Sequence, residues 1–404
     1  MKRCVIFALL LWALWPVPVQ AVELEIEAPS VLLMEKETGE ILYAQNEHEK
    51  GEPASVTKVM TLLLTMEAIE KGTIAYDDVV TVSAYAASMG GSNVYLAEGE
   101  KITVEDLLKA VCVASGNDAS VALAEHVSGV TELFVAEMNN RAKELGMKDT
   151  HFANCHGLPA EGHVSSAADI AIMSRELIRN HPDLRRFTTI WMDSLRGGEF
   201  ELANTNKLIR FYDGATGLKT GSTSSAGYCI SATAERDGME LIAVVLKGGT
   251  SQQRFEDAKT MLNYGFATYA LHTVEAAEPF APLPVRLGME EQILLTLPQE
   301  GRQLLVKKAQ IAGLTQEVTL PEEVAAPVAQ GQQLGTLTVR EGENVVLEVP
   351  ILAAESVEKL TWWEMYRRML GALCFKSGEK GADYLASFSG LSKNLAEFRR
   401  WAAK

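Results

Sequence analysis

The sequence predicts an α/β (α+β) domain with an antiparallel sheet flanked by helices, followed by a small all-β domain and C-terminal amphipathic helices. Three observations carry that prediction. Strand-like runs stand at both ends of residues 28–270 with helical periodicity between them, so the terminal strands are expected to meet in one antiparallel sheet. Residues 276–352 break into short alternating segments punctuated by Gly288, Gly301, Gly331 and Gly342. From residue 355 onward the apolar spacing turns helical and one-sided.

Lys2 and Arg3 precede an apolar run from Val5 to Trp15, then Pro16, Pro18 and the small-residue exit Val19-Gln20-Ala21. A basic start, a short apolar stretch and a small residue at the exit make residues 1–21 a secretory signal peptide. The run falls short of the ~20 residues a spanning helix needs. A retained N-terminal anchor is the alternative; the prolines and Ala21 favour cleavage and a chain that works outside the cytoplasm. Cys112, Cys155, Cys229 and Cys374 would remain, and their spacing leaves pairing open.

Val31-Leu32-Leu33-Met34 and Ile41-Leu42-Tyr43-Ala44 flank Glu37-Thr38-Gly39-Glu40 as a hairpin. Ser55 to Lys71 carries Val59, Leu62, Leu63, Met66 and Ile69 at helical spacing until Gly72 closes it. Helices are expected from Thr103 to Cys112, with Thr103 as N-cap and Asp106 three residues on, from Ala119 to Val127, and from Ala167 to Arg179. Leu218 to Thr220, Tyr228 to Ala234 and Leu241 to Lys247 read as strands, the last two joined by Arg236-Asp237-Gly238.

Ala276 to Pro284 is rich in Ala, Pro and Glu and reads as a linker. The module after it should pair strands at Ile293–Leu297, Gln303–Val306, Glu317–Leu320, Leu334–Val339 and Val345–Val349. It holds no catalytic grouping and reads as a spacer or docking domain. In residues 355–375, Trp362, Tyr366, Met369, Leu370 and Leu373 share one helical face while Glu364, Arg367 and Arg368 lie elsewhere, the pattern of an interfacial membrane helix. Tyr384, Phe388, Leu391, Leu395 and Phe398 repeat that face in residues 376–404. From Lys359 to Lys404 nine basic residues stand against four acidic ones, a net of +5 that suits an anionic membrane surface. A helix packed on its own protein or on a dimer partner is the alternative.

Composition narrows the class. With 404 residues, 47% apolar and 22% charged, the chain is an ordinary globular one with room for two or three domains. A net charge of −16 argues against a nucleic-acid partner, since gripping phosphate needs an excess of Lys and Arg. Five cysteines are too few for a disulfide scaffold.

Chemistry enters with three short motifs. In Ser55-Val56-Thr57-Lys58 the Ser and Lys stand three apart on one helix, so the amine reaches the hydroxyl. A serine hydroxyl needs such a base to become a nucleophile, and a lysine serves only if burial or another cation lowers its pKa. Ser115-Gly116-Asn117, between two expected helices, offers a hydroxyl for proton relay and a carboxamide for a substrate amide. Lys219-Thr220-Gly221, in an expected edge strand, supplies an ammonium, a hydroxyl and a glycine that permits close backbone approach. Ser356–Lys359, Ser377–Lys380 and Ser392-Lys393-Asn394 repeat single motifs, but all follow Lys219. Only the set beginning at Ser55 has all three in order.

That ordered set resembles the active-site motifs of penicillin-binding proteins and serine β-lactamases. Its surroundings, Pro53-Ala54-Ser55-Val56-Thr57-Lys58-Val59-Met60, Gly90-Gly91-Ser92, Ala114-Ser115-Gly116-Asn117-Asp118-Ala119, His156-Gly157-Leu158 and Gly217-Leu218-Lys219-Thr220-Gly221, resemble the low-molecular-mass D-alanyl-D-alanine carboxypeptidases. The likeness runs from Pro29 to Phe266 and continues more loosely through the β module into the first amphipathic helix; the tail after Phe375 extends beyond the usual end of such chains.

The resemblance implies a penicillin-binding transpeptidase-like domain that removes the terminal D-alanine from peptidoglycan stem pentapeptides. Ser55 would attack, and Lys58 would be the base, its pKa lowered by desolvation and by Lys219. Ser115 would pass the proton to the leaving amine, and Asn117 would hold the substrate amide. Lys219 and Thr220 would receive the terminal carboxylate. The N–H groups of Ser55 and of Ser222, the residue after Gly221, would form the oxyanion hole, one such donor being worth ~3–4 kcal/mol of barrier. It implies β-lactam antibiotics as covalent inhibitors, no metal or cofactor, and an exported enzyme peripheral to the outer face of the cytoplasmic membrane.

Ser222 stands where some relatives carry His. His151, His156 and His163 cluster near Cys155, but their spacing matches no zinc pattern and loop-structuring roles are expected. Arg254 would support the carboxylate pocket or form a structural ion pair. The rival readings are a serine β-lactamase, for which Glu161 is a distant candidate deacylating residue, a D,D-endopeptidase sharing every motif, and a non-catalytic peptidoglycan-binding protein, which would not need the Ser55–Lys58 pair.

Overall fold

The structure, a computed structural model, describes residues 24–374; the expected signal peptide and the 376–404 tail lie outside the described residues. The chain divides into two units at Leu271/His272.

In the first unit, β1 (Ser30–Glu35), β2 (Ile41–Gln45), β3 (Ala215–Thr223), β4 (Gly227–Arg236) and β5 (Met239–Gly248) form one antiparallel sheet in the order β2-β1-β5-β4-β3. The terminal strands meet as expected, with Leu32 opposite Val244. Each late strand is longer than its apolar kernel suggested, because ladder pairing continues into the polar residues at both ends. Side chains alternate along a strand. Leu33 and Leu241 reach Gly265 on one face, whereas Ser231 bonds Ser174 on the other at 2.8 Å. A sheet covered on both faces explains why β5 is apolar almost throughout.

The longer helices are α1 (Lys58–Glu70), α2 (Val104–Lys109), α3 (Asn117–Ser128), α4 (Thr131–Glu144), α5 (Ala167–Asn180) and α6 (Ser251–Thr268). A 3-10 turn, Ala54–Thr57, leads into α1, which buries residues all round and so reads as a core helix. Thr103 caps α2 by accepting from the Asp106 N–H at 3.1 Å. Helix α2 then widens into a π turn, Ala110–Ala114, that ends at Ser115 in a left-handed conformation, φ +64°. No sequence signal announced α4: it buries only Phe134, Met138 and Ala142 and has no side-chain cap at Val130.

In the second unit, β6 (Leu295–Thr296), β7 (Leu314–Thr319), β8 (Gln333–Glu341) and β9 (Asn344–Ala353) form an antiparallel sheet in the order β6-β9-β8-β7. Leu283–Arg286 pairs with Gln292–Ile293 on one side and, in parallel, with Val324–Ala325 on the other. Three expectations change here. Residues 276–284 are not a free linker, because Phe280 and Leu283 pack into the unit's two apolar clusters. The single strand expected at Ile293–Leu297 is split at Leu294. The amphipathic helix α7 (Trp362–Cys374) starts later than residue 355, since Val357 and Lys359 are held in bridges to Val328 and Gly288. Side chains are described to Arg368; within them Trp362 stacks on Tyr366, ring centroids 5.7 Å apart. No helix among the described residues is long and apolar enough to cross a membrane.

Candidate active site

The three motifs converge in the first unit. Ser55 lies in the first turn of the helical run from Ala54, where N–H groups lack an intrahelical acceptor. One turn on, the fully buried Lys58 places Nζ 3.0 Å from Ser55 Oγ. The same Nζ donates to Asn117 Oδ1 and to His156 O, both at 2.6 Å. Those two partners can only accept. An uncharged amine has two hydrogens and one lone pair, so the set leaves the lone pair for the Ser55 hydroxyl hydrogen.

Electrostatics favour that uncharged state. Burial holds the Lys58 ammonium well below the ordinary lysine range, and the nearby charge of Lys219 pushes the same way. No carboxylate among the described residues forms an ion pair with Lys58, Lys219 or Arg254. The nearby Asp118 carboxylate accepts instead from the Val94, Leu96 and Ala119 N–H groups. Lys219, also buried, donates to Thr220 O at 2.9 Å, and burial, with Arg254 adding, lowers it to about 7.

Asn117 links two motifs. Besides Lys58, its Nδ2 donates to Gly90 O at 2.7 Å and its backbone N–H to Ser92 O at 2.7 Å. This is why glycine stands at 91: its φ is +80°, and a Cβ there would lie 2.8 Å from Asn117 Nδ2. The buried Ser115 Oγ has no hydrogen-bond partner among the described residues. An orphaned buried hydroxyl is costly unless another group fills the place.

The edge strand β3 closes the cleft. A Cβ on Gly221 would lie 2.8 Å from Ser55 N and 3.0 Å from Pro53 O. The glycine at 221 therefore admits the Ser55 turn of this same chain. Thr220 Oγ1 donates to Thr205 Oγ1 at 2.7 Å, and Ser222 is exposed at the rim. Among the described residues Arg254 forms no ion pair: its guanidinium donates to Gly221 O at 2.8 Å and to Cys229 O at 3.2 Å.

The histidines are engaged in their loops. His156 Nδ1 accepts from the Leu158 N–H at 3.2 Å and His163 Nδ1 from the Ala153 N–H at 2.9 Å; burial lowers each ring to about 4. His151 makes a backbone bridge to Val164. The Cys112, Cys155 and Cys229 thiols are free and buried, and burial raises the first two to about 12 and the third to about 11. Glu161 is exposed and has no hydrogen bond to Ser55 or Lys58 among the described residues. Sequence reasoning missed the His156 carbonyl, Thr205 and Asp118. A carbonyl carries no side-chain signal, and Thr205 is brought in only by tertiary pairing, its N–H on Val113 O.

Residues 17–250 match the family model described as D-alanyl-D-alanine carboxypeptidase, and residues 271–359 match that of the penicillin-binding protein 5 C-terminal domain. The chain is 42% identical over 353 residues to the D-alanyl-D-alanine carboxypeptidase DacF of Bacillus subtilis, covering 86% of this chain and 90% of that one. Among solved structures it is similar to penicillin binding protein 5 from Haemophilus influenzae, with TM-score 0.71 and 30% identity over 84% of this chain and all of the other. It is also similar to penicillin-binding protein D2 from Listeria monocytogenes in its ampicillin-bound form, with TM-score 0.56 and 34% identity over 60% of this chain and 99% of that one.

Proposed function

The chain belongs to the D-alanyl-D-alanine carboxypeptidase family, and on that premise we propose that it hydrolyses the terminal D-alanine from peptidoglycan stem pentapeptides through an acyl-enzyme on Ser55. The observation that carries this reading is the Lys58 amine, held by two carbonyl-type acceptors with its third direction toward Ser55 Oγ.

Lys219 and Thr220 bind the free terminal carboxylate, a reading supported by the lack of any carboxylate ion-paired with Lys219 or Arg254 among the described residues. Ser55 Oγ attacks the carbonyl of the penultimate D-alanine, and its proton passes to Lys58 Nζ. The negative charge on the carbonyl oxygen is met by the N–H groups of Ser55 and Ser222. Asn117 holds Lys58 and keeps its second Nδ2 hydrogen for a substrate amide carbonyl. As the C–N bond breaks, the proton on Lys58 reaches the leaving amine through Ser115, and D-alanine departs. Water then attacks the ester, giving up a proton to Lys58. The shortened peptide leaves, and that proton returns to Ser55. A β-lactam presents a carboxylate and a strained amide in the same places and acylates Ser55, a reading supported by the ampicillin-bound relative.

The test is release of free D-alanine from a purified stem pentapeptide, run beside a cross-linked dimer. D-alanine from the pentapeptide is expected. Cleavage of the dimer alone would make the enzyme an endopeptidase, and no product from either would remove the reading.

Export through residues 1–21 and peripheral attachment to the outer face of the cytoplasmic membrane through residues 355–375 complete the proposal. Trp362 and Trp363, 64% and 66% exposed at the start of α7, support it. A chain ended at Leu360, which keeps the Val357 and Lys359 bridges, should stay active and no longer sediment with anionic liposomes; sedimentation equal to that of the full chain would locate the attachment elsewhere.

A further inference from the structure

Thr57 is the one polar residue of the first motif without an assigned part. It is fully buried between Ser55 and Lys58, and its Oγ1 donates to Ala54 O at 2.8 Å. His163 Nε2 lies 2.7 Å from the same Oγ1. The hydrogens have one consistent arrangement. His163 Nδ1 accepts from the Ala153 N–H, so the hydrogen of the neutral ring is on Nε2 and is donated to Thr57. The Thr57 hydrogen is thereby left for the Ala54 carbonyl.

That carbonyl is one end of the peptide unit whose other end is the Ser55 N–H. The unit is planar and trans, so fixing the direction of the C=O fixes that of the N–H. Ala54 has φ +48°, a conformation that costs alanine energy and needs outside support. Gly157 packs against the carbonyl so closely that a Cβ there would fall 1.9 Å from Ala54 O. Gly221 also lies against Ser55 N. From these contacts we infer that Thr57, locked by His163, is a positioning residue that aims the Ser55 N–H at the developing oxyanion. The inference rests on the reading of Ser55 as nucleophile and backbone donor.

The test uses the full chain with Thr57→Val, which keeps the branched shape and loses the hydroxyl, and Thr57→Ser, which keeps the hydroxyl. Three quantities are read: the acylation rate at saturating fluorescent penicillin, the affinity of the non-covalent complex before acylation, and inhibition by a peptidyl boronic acid, whose tetrahedral adduct puts an oxygen in the oxyanion position. Thr57→Val should acylate about 10- to 100-fold more slowly, with non-covalent affinity within about twofold and boronate inhibition weakened by the same factor as acylation. Thr57→Ser should stay within about threefold of wild type on all three. Wild-type acylation by Thr57→Val, or slower acylation with unchanged boronate inhibition, would overturn the inference. If Thr57→Val does not fold by near-ultraviolet circular dichroism, His163→Leu carries the same comparison, with parallel losses expected and unequal ones contradicting. Absence of an acyl adduct on Ser55 of the wild type would instead defeat the underlying reading, so the two failures are distinct.

Discussion

Lys58 Nζ, on α1, and Asn117 Oδ1, at the start of α3, stand 2.6 Å apart, and this contact with a neutral amide rather than a carboxylate holds the buried amine in the cleft. A carboxylate at that distance would favour the ammonium and cancel the effect of burial. The second motif therefore holds the Lys58 amine without adding a negative charge, and burial and Lys219 are left to lower its pKa.

Asn117→Asp tests that coupling. At neutral pH the new anion should keep Lys58 protonated and slow acylation by fluorescent penicillin about 10²–10³-fold. Measured against wild type at the same pH, the rate should recover as pH rises and Lys58 gives up its proton. A loss of rate independent of pH would assign Asn117 to substrate binding alone.

The pH profile follows from opposite demands on two lysines. Lys58 must be neutral, and its pKa is depressed, so it sets the rising limb of kcat/KM. Lys219 must be charged, and in the free enzyme burial and Arg254 bring it to about 7, so activity falls as pH rises through that value. A bound carboxylate favours the ammonium and raises its pKa. The falling limb of the acylation rate at saturating substrate should thus lie at higher pH than that of kcat/KM. Coincident falling limbs would show that Lys219 does not meet the substrate's anion.

Two glycines with positive φ separate conformational cost from lost space. Gly72 has φ +70° and open space where a Cβ would stand, with no described atom within 4 Å, while Gly157 has φ +90° and the Ala54 carbonyl oxygen 1.9 Å from that position. Gly72→Ala should lose about 1 kcal/mol of stability and keep its activity. Gly157→Ala must also displace the Ala54–Ser55 turn, so a loss beyond about 3 kcal/mol and no penicillin acylation are expected. Urea unfolding and penicillin labelling of both variants check this; equal effects would mean that the turn yields freely.

The parts of the site legible in the sequence were those written in side-chain type and order. Ser55, Lys58 and Asn117 are joined by hydrogen bonds and Gly221 of the third motif lies against Ser55 N, while the pairing of the strands at the two ends of the domain was visible in the apolar runs at 31–34 and 241–247. The Thr103 cap and the Arg236-Asp237-Gly238 turn were legible for the same reason: each is a local device that uses its own neighbours. What escaped depends on partners distant in sequence. Helix α4 is mostly solvent-facing and uncapped, so its three buried residues left too narrow a stripe. The His156 carbonyl on Lys58 and the Arg254 guanidinium on the β3 and β4 carbonyls use backbone acceptors that any residue supplies. Short strands such as Val324–Ala325 are fixed by pairing across the second unit rather than by their two residues.

The most direct test of the Ser55 cleft is the intact mass of the protein after exposure to benzylpenicillin, followed by peptide mapping of the adduct. One penicilloyl group per chain, carried by the peptide containing Ser55 and absent from a folded Ser55→Ala variant, is the expected result. An adduct that persists in Ser55→Ala, or that maps to another residue in the wild type, would contradict the assignment of Ser55 as the nucleophile.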